Sequence, residues 1–113
     1  MESQGWENQA GTWRRVVDAA EILEDEPLAV EADGRKIALY RVDGDVHATD
    51  NVCTHAYALL SDGLLEGCQI ECPLHNARFD VRTGRALSSP AERDLRTYPV
   101  RVVDGGVEIL LPG

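Results

Sequence analysis

A chain of 113 residues has room for one domain, and with 43% hydrophobic residues it can bury a core without needing disulfides. Its net charge of −9, from 20 acidic and 11 basic residues, argues against nucleic acid and anionic membrane surfaces and suits a basic protein partner. No apolar run reaches the roughly 18 residues of a membrane-spanning helix, and the polar start, Met1 to Thr12, lacks the regions of a secretory signal.

Residues 1–12 read as a loose tail ahead of a domain over 13–113. Trp13 to Val17 is a candidate first strand. Asp18 to Glu26 is acidic, ends at Pro27, and reads as a solvated loop with room for one helical turn. Leu28 to Glu31, Lys36 to Val42 and Val46 to Thr49 are strand-like runs. They are separated by Asp33-Gly34 and Asp43-Gly44, dipeptides that tolerate positive φ and signal hairpins. The stretch over about 51–90 is different in kind, rich in Cys, His, Gly and Asp. Inside it, Gln69 to Cys72 and Arg78 to Val81 are short strand candidates, and Thr83-Gly84 and Ser88-Ser89-Pro90 are turns. The end returns to strands, Thr97 to Val103 and Val107 to Leu111, around Asp104-Gly105-Gly106. Turns every eight to twelve residues, with no long helical pattern, predict an all-β sandwich or barrel. The Cys/His-rich segment would be a small insert mounted on it.

The chemistry sits in Cys53-Thr54-His55 and, after sixteen intervening residues, Cys72-Pro73-Leu74-His75. The three cysteines are an odd number, which with no signal favours a reducing compartment, the cytoplasm, and metal or redox chemistry. Each half supplies one thiolate and one imidazole from a turn-rich stretch. A Rieske centre needs two Cys on one iron and two His on the other. In that reading Cys53 and Cys72 hold the iron that stays ferric, and His55 and His75 hold the iron that takes the electron. Two ferric ions, two sulfides, two thiolates and two neutral imidazoles sum to no net charge, so such a centre accepts an electron more readily than an all-Cys cluster. The alternative is a structural zinc site. Zinc spacing usually pairs Cys with Cys and His with His, whereas each half here mixes them.

The stretch CTHAYALLSDGLLEGCQIECPLHNARFDVRTGRAL resembles the cluster-binding segment of Rieske ferredoxins from bacterial aromatic-ring-hydroxylating dioxygenase systems, of the naphthalene and biphenyl dioxygenase type. The likeness extends from about Trp13 to Leu111, through ALYRVDGDVHATDNVCTH before the site and LRTYPVRVVDGGVEI after it. It implies a β-sandwich base with a cluster-binding subdomain at one tip over about 51–90. It implies a [2Fe–2S] cluster on Cys53, His55, Cys72 and His75. It also implies a monomeric electron carrier, without catalytic activity of its own, between an NAD(P)H-dependent flavoprotein reductase and a terminal oxygenase. The other class to weigh is a small Rieske subunit of a larger oxidoreductase, of the nitrite reductase or arsenite oxidase kind.

Other residues carry plainer expectations. Cys68 lacks a motif and reads as a turn cysteine. His47 reads as an ordinary strand residue; as the only other histidine, it cannot supply the two-His-one-carboxylate site of an oxygenase. Trp6 and Trp13 read as packing residues. Pro73 stiffens the second loop, and by resemblance Leu74 shields the cluster and Ser88-Ser89-Pro90 covers it from the other side. The high-potential proteins of cytochrome bc complexes carry an extra loop disulfide, which Leu74 and the region of Ala58 cannot form. They also place hydroxyls two and four residues after the second His, where this chain has Ala77 and Phe79. Ala56 and Asn76 stand where the family commonly has Gly, and Asn tolerates the left-handed region. With fewer hydrogen bonds to the sulfurs, a redox titration is expected to give a potential near roughly −150 mV; a strongly positive value would refute this.

Overall fold

The computed structural model describes residues 11–54, 58–74, 76–88 and 93–112. They form ten strands and two short 3-10 turns. The strands are β1 (Gly11–Asp18), β2 (Leu28–Ala32), β3 (Arg35–Val42), β4 (Asp45–Asp50), β5 (Leu64–Glu66), β6 (Gln69–Glu71), β7 (Arg78–Asp80), β8 (Thr97–Tyr98), β9 (Val100–Val103) and β10 (Gly106–Pro112). The all-β expectation holds. No helix among the described residues is long and apolar enough to cross a membrane.

The strands make three antiparallel sheets, in the orders β1-β10-β9, β2-β3-β4-β8 and β5-β6-β7. The four-stranded sheet is the middle layer, because β3 is buried on both faces from Ile37 to Tyr40. Its side chains alternate, as the pleat requires. Ile37 and Leu39 enter one core with Val107, Ile109 and Leu111 of β10. Ala38 and Tyr40 enter the other, with Leu65, Ile70 and Phe79 of the small sheet. Each fully buried Ile or Leu contributes about 1.5–3 kcal/mol to this arrangement. The Tyr40 hydroxyl, buried on that second side, donates to Thr49 Oγ1 at 2.9 Å, while Thr49 donates onward to the Asp50 carbonyl at 2.8 Å. Burial raises the Tyr40 pKa, opposed by the Thr49 bond, so the phenol stays neutral.

The hairpin turns follow the dipeptides. Asp33 and Gly34 both have positive φ, as do Asp43 with Gly44 and Asp104 with Gly105. That geometry matches the twist of the strands on either side.

Four details differ from the sequence expectation. Gly11 and Thr12 pair with Pro112 and Leu111, so the first strand reaches two residues into the segment read as tail. Thr97 to Val103 is not one strand: β8 pairs with β4, the chain breaks at Pro99, and β9 pairs with β10. Proline has no N–H to give a ladder; its carbonyl instead accepts from Leu110 N at 3.0 Å. The acidic stretch is solvated and carries one helical turn, at Ala19–Glu21, as expected, but it is pinned to the domain. Ile22 is buried in the core, and Arg41 holds the backbone by donating to the carbonyls of Ala19 at 2.6 Å and Ile22 at 2.7 Å. The Glu24 carboxylate accepts from Gly44 N at 2.9 Å. Finally, β5 was not legible in the sequence.

Gly84 closes the turn after β7 at φ 81°, and its position admits no side chain, since a Cβ would press into the Leu95 carbonyl. Gly34 has a similar φ but open space around it. Gly84→Ala is expected to cost about 2 kcal/mol or more and Gly34→Ala only about 1. Equal shifts in thermal melting would contradict the packing account.

Candidate metal centre

Both cysteine loops are hairpin tips closed in the same way. In the first, Asn51 to Cys53 runs antiparallel to Ala58 to Leu60. Cys53 N donates to the Ala58 carbonyl at 2.9 Å, Leu60 N donates to the Asn51 carbonyl at 2.7 Å, and Val52 bridges to Leu59. In the second, Cys72 N donates to the Ala77 carbonyl at 2.7 Å, just beyond the Glu71–Arg78 pair of the β6–β7 hairpin. Each cysteine therefore begins a tip whose closing carbonyl lies five residues on. The second tip turns back through Asn76 at φ 58°, the left-handed conformation that asparagine tolerates.

The two tips bring their thiols together. Cys53 and Cys72 are buried in one core cluster, with relative exposures of 4% and 0%. Burial pushes the Cys72 thiol up to about 11; the Leu74 backbone N–H opposes this, and the adjacent Cys53 thiol adds to it. Two thiolates side by side in an apolar setting are unfavourable by themselves. A positively charged iron pair would offset that cost, and the Leu74 N–H already supplies a hydrogen bond to one sulfur. The donor set thus fits an iron–sulfur centre. His55 and His75 lie outside the described residues, as do Ala56, Tyr57, Trp6 and residues 89–92.

The surroundings are apolar on the core side. Ala77 and Phe79 are fully buried in the cluster that contains both cysteines, and neither carries an O–H. Pro73 stands with Cys72, Asn76, Asp62 and Glu71 on a shallow cleft beside the second tip. Leu74 is 44% exposed, so its side chain is available to the outer rim as well as to the site. Thr54 Oγ1 donates to the Arg93 carbonyl at 2.9 Å, tying the first tip to the segment before β8.

The other candidates separate cleanly. Cys68 occupies the turn between β5 and β6, with its carbonyl accepting from Val81 N at 2.9 Å. It lies at the opposite end of the β6–β7 hairpin from Cys72. His47 pairs with Tyr40 across β3 and β4, on the side of a groove also lined by Arg82 and Tyr98. Trp13 is half-buried and packs outside the two described core clusters, under the Arg101 guanidinium, 4.1 Å from the ring centroid. Sequence reasoning missed Asn51, which is 2% exposed and bonds across the first loop to Ser61. Its signal is only in space, since a lone Asn before a cysteine has no pattern of its own.

Residues 12–99 match the family model of the Rieske [2Fe-2S] domain, and the chain belongs to that family. The family's cofactor is the Rieske-type [2Fe–2S] cluster. Among its relatives, the ferredoxin component of the naphthalene 1,2-dioxygenase system of Pseudomonas putida is 51% identical over 90 residues, spanning 80% of this chain and 86% of that protein. A ferredoxin structure from Sphingomonas yanoikuyae B1 superposes with a TM-score of 0.86 at 42% identity, covering 89% of this chain and 100% of the other. A chain from the complex of reduced oxygenase and oxidized ferredoxin in carbazole 1,9a-dioxygenase superposes with a TM-score of 0.82 at 38% identity, covering 86% and 91%.

Replacing Cys72 with Ser is expected to abolish the visible absorbance of the purified protein, whereas Cys68→Ser leaves it intact. A spectrum lost with Cys68→Ser would contradict the separation of the two thiols along the hairpin.

Proposed function

We propose that this chain is the ferredoxin of a multicomponent aromatic-ring-hydroxylating dioxygenase, carrying single electrons from an NAD(P)H-dependent flavoprotein reductase to the terminal oxygenase. The observation that carries the reading is the meeting of the Cys53 and Cys72 thiols, buried between two hairpin tips closed alike. Relatives named as ferredoxin components of dioxygenase systems support it. In this reading Cys53 and Cys72 bind one iron, and His55 and His75 bind the other. The cluster supplies a one-electron couple and no group transfer.

The remaining work belongs to the chain. The buried Ala77 and Phe79 exclude water from the core side and offer no hydroxyl to the sulfurs, which keeps the potential low. Among the described residues of this loop, the Leu74 N–H supplies a hydrogen bond to sulfur. The histidines complete the set from the tips. Residues 13–113, with Gly11 and Thr12 joined to them through β1, form the Rieske domain, with a cluster-binding part over about 51–90. The chain works as a cytoplasmic monomer, touching neither nucleic acid nor membrane.

Stopped-flow mixing of the reduced protein with an aromatic-ring terminal oxygenase tests this. Oxidation of the ferredoxin within a turnover is expected, slowed several-fold between low and high salt because the carrier bears −9. A permanent subunit of a larger enzyme would instead elute from size exclusion as an aggregate or require its partner for solubility. A protein that elutes in that way, or that fails to pass electrons to any such oxygenase, would overturn the assignment.

A further inference from the structure

The two ligand tips are braced by different means. The second tip ends a hairpin that sits inside a sheet: β6 pairs with β5 on one side and β7 on the other, and Phe79 of β7 bridges to Ala86 beyond. That three-stranded ladder holds the backbone that carries Cys72 into the core. The described arms of the first tip belong to no sheet. Its two short arms, Asn51 to Cys53 and Ala58 to Leu60, lie outside every named strand. A ladder that short is marginal without tertiary support.

Two side chains brace it: Thr54, exposed, bonds to the Arg93 carbonyl at the outer end, and Asn51, buried, holds the foot. Asn51 lies at the foot of the tip, two residues before Cys53, and is 2% exposed. Its Nδ2 donates to Ser61 Oγ at 2.9 Å, and its Oδ1 accepts from Ser61 N at 2.8 Å. Its backbone is engaged as well, with Asn51 N donating to the Lys36 carbonyl at 2.9 Å. Ser61 lies in the 3-10 turn Leu60–Asp62, which leads directly into β5. Asn51 therefore joins three parts: its backbone ties the end of the middle sheet to both arms of the first tip, and its carboxamide ties that foot to the turn entering the small sheet. A reciprocal pair of this kind fixes direction as well as distance, because the buried Asn51 carboxamide would be left unsatisfied if the tip turned.

We propose that Asn51 is a positioning residue for the iron centre: through Ser61 it sets where Cys53 meets Cys72, and it makes the first tip the half of the site from which the cluster is lost. The inference rests on the ligand set proposed above. It predicts an asymmetry that the matched closure of the two tips would not suggest.

The test uses the purified holoprotein, with two readouts: the rate at which a chelator bleaches the visible spectrum, and the g values of the reduced protein by EPR. Asn51→Ala is expected to bleach about tenfold faster and to shift the g values. Asn51→Asp preserves the acceptor for Ser61 N–H and lets the Ser61 hydroxyl donate in return, so it is expected to keep a bleaching rate near wild type. Ser61→Ala removes only the Oγ acceptor and is expected to give a smaller acceleration; it also serves if Asn51→Ala does not fold. Ile109→Val, in the core on the far side of the middle sheet, lowers stability without touching either tip. Bleaching of Asn51→Ala no faster than Ile109→Val at matched melting loss, or wild-type behaviour of Ser61→Ala, would overturn the proposal. A wild-type protein without a cluster spectrum would instead defeat the ligand assignment itself.

Discussion

Burial of β3 on both faces is the constraint from which the rest follows. Ile37, Ala38, Leu39 and Tyr40 have no solvent face, so the sheet they run through needs a layer on each side. On one side β10 and its neighbours supply Val107, Ile109 and Leu111. On the other, the small sheet, the two cysteine tips and Leu95 supply the cover, and the cysteines become part of the packing over Ala38 and Tyr40. The site is therefore not attached to a finished domain. Its thiols are core residues, and the fold that hides them also raises the cost of leaving them without a cation.

This arrangement explains why so much polar hardware gathers where β4 ends. Thr49, Asp50 and Asn51 lie in sequence at the point where the chain leaves the middle sheet for the first tip. Tyr40 bonds to Thr49, the Tyr98 hydroxyl bonds to the Asp50 carboxylate, and Asn51 bonds to Ser61. Burial first, and then the Asp50 carboxylate, push Tyr98 up to about 12, so its proton stays in that bond. Every one of these groups has a partner, as buried polar atoms must. Together they fix the exit direction of the chain from a sheet whose sequence would otherwise leave it free.

Much of this is legible in the residues themselves. Asp33-Gly34, Asp43-Gly44 and Asp104-Gly105 each need positive φ, and each marks a hairpin in the fold. The mixed Cys/His order of the two loops by itself favours iron and sulfide over zinc. Other features depend on partners distant in sequence. Thr97 to Val103 reads as one β run, and only Pro99 hints that it changes sheets. Leu64 to Glu66 is too short and too mixed to announce β5. Ile22 sits among acidic residues, and its burial depends on Arg41 gripping the backbone around it. Asn51 and Ser61 are ten residues apart on opposite arms of a tip, with no periodicity to link them.

The central claim is that thiolates and imidazoles from two separate tips share one binuclear iron centre. Pulsed EPR of the dithionite-reduced protein reads it directly, through the coupling of the unpaired electron to ligand nitrogen. The account predicts strong coupling to two imidazole nitrogens, with iron and acid-labile sulfide present in equal amounts. A reduced cluster with no nitrogen coupling, or pure protein containing zinc in place of iron and sulfide, would contradict it.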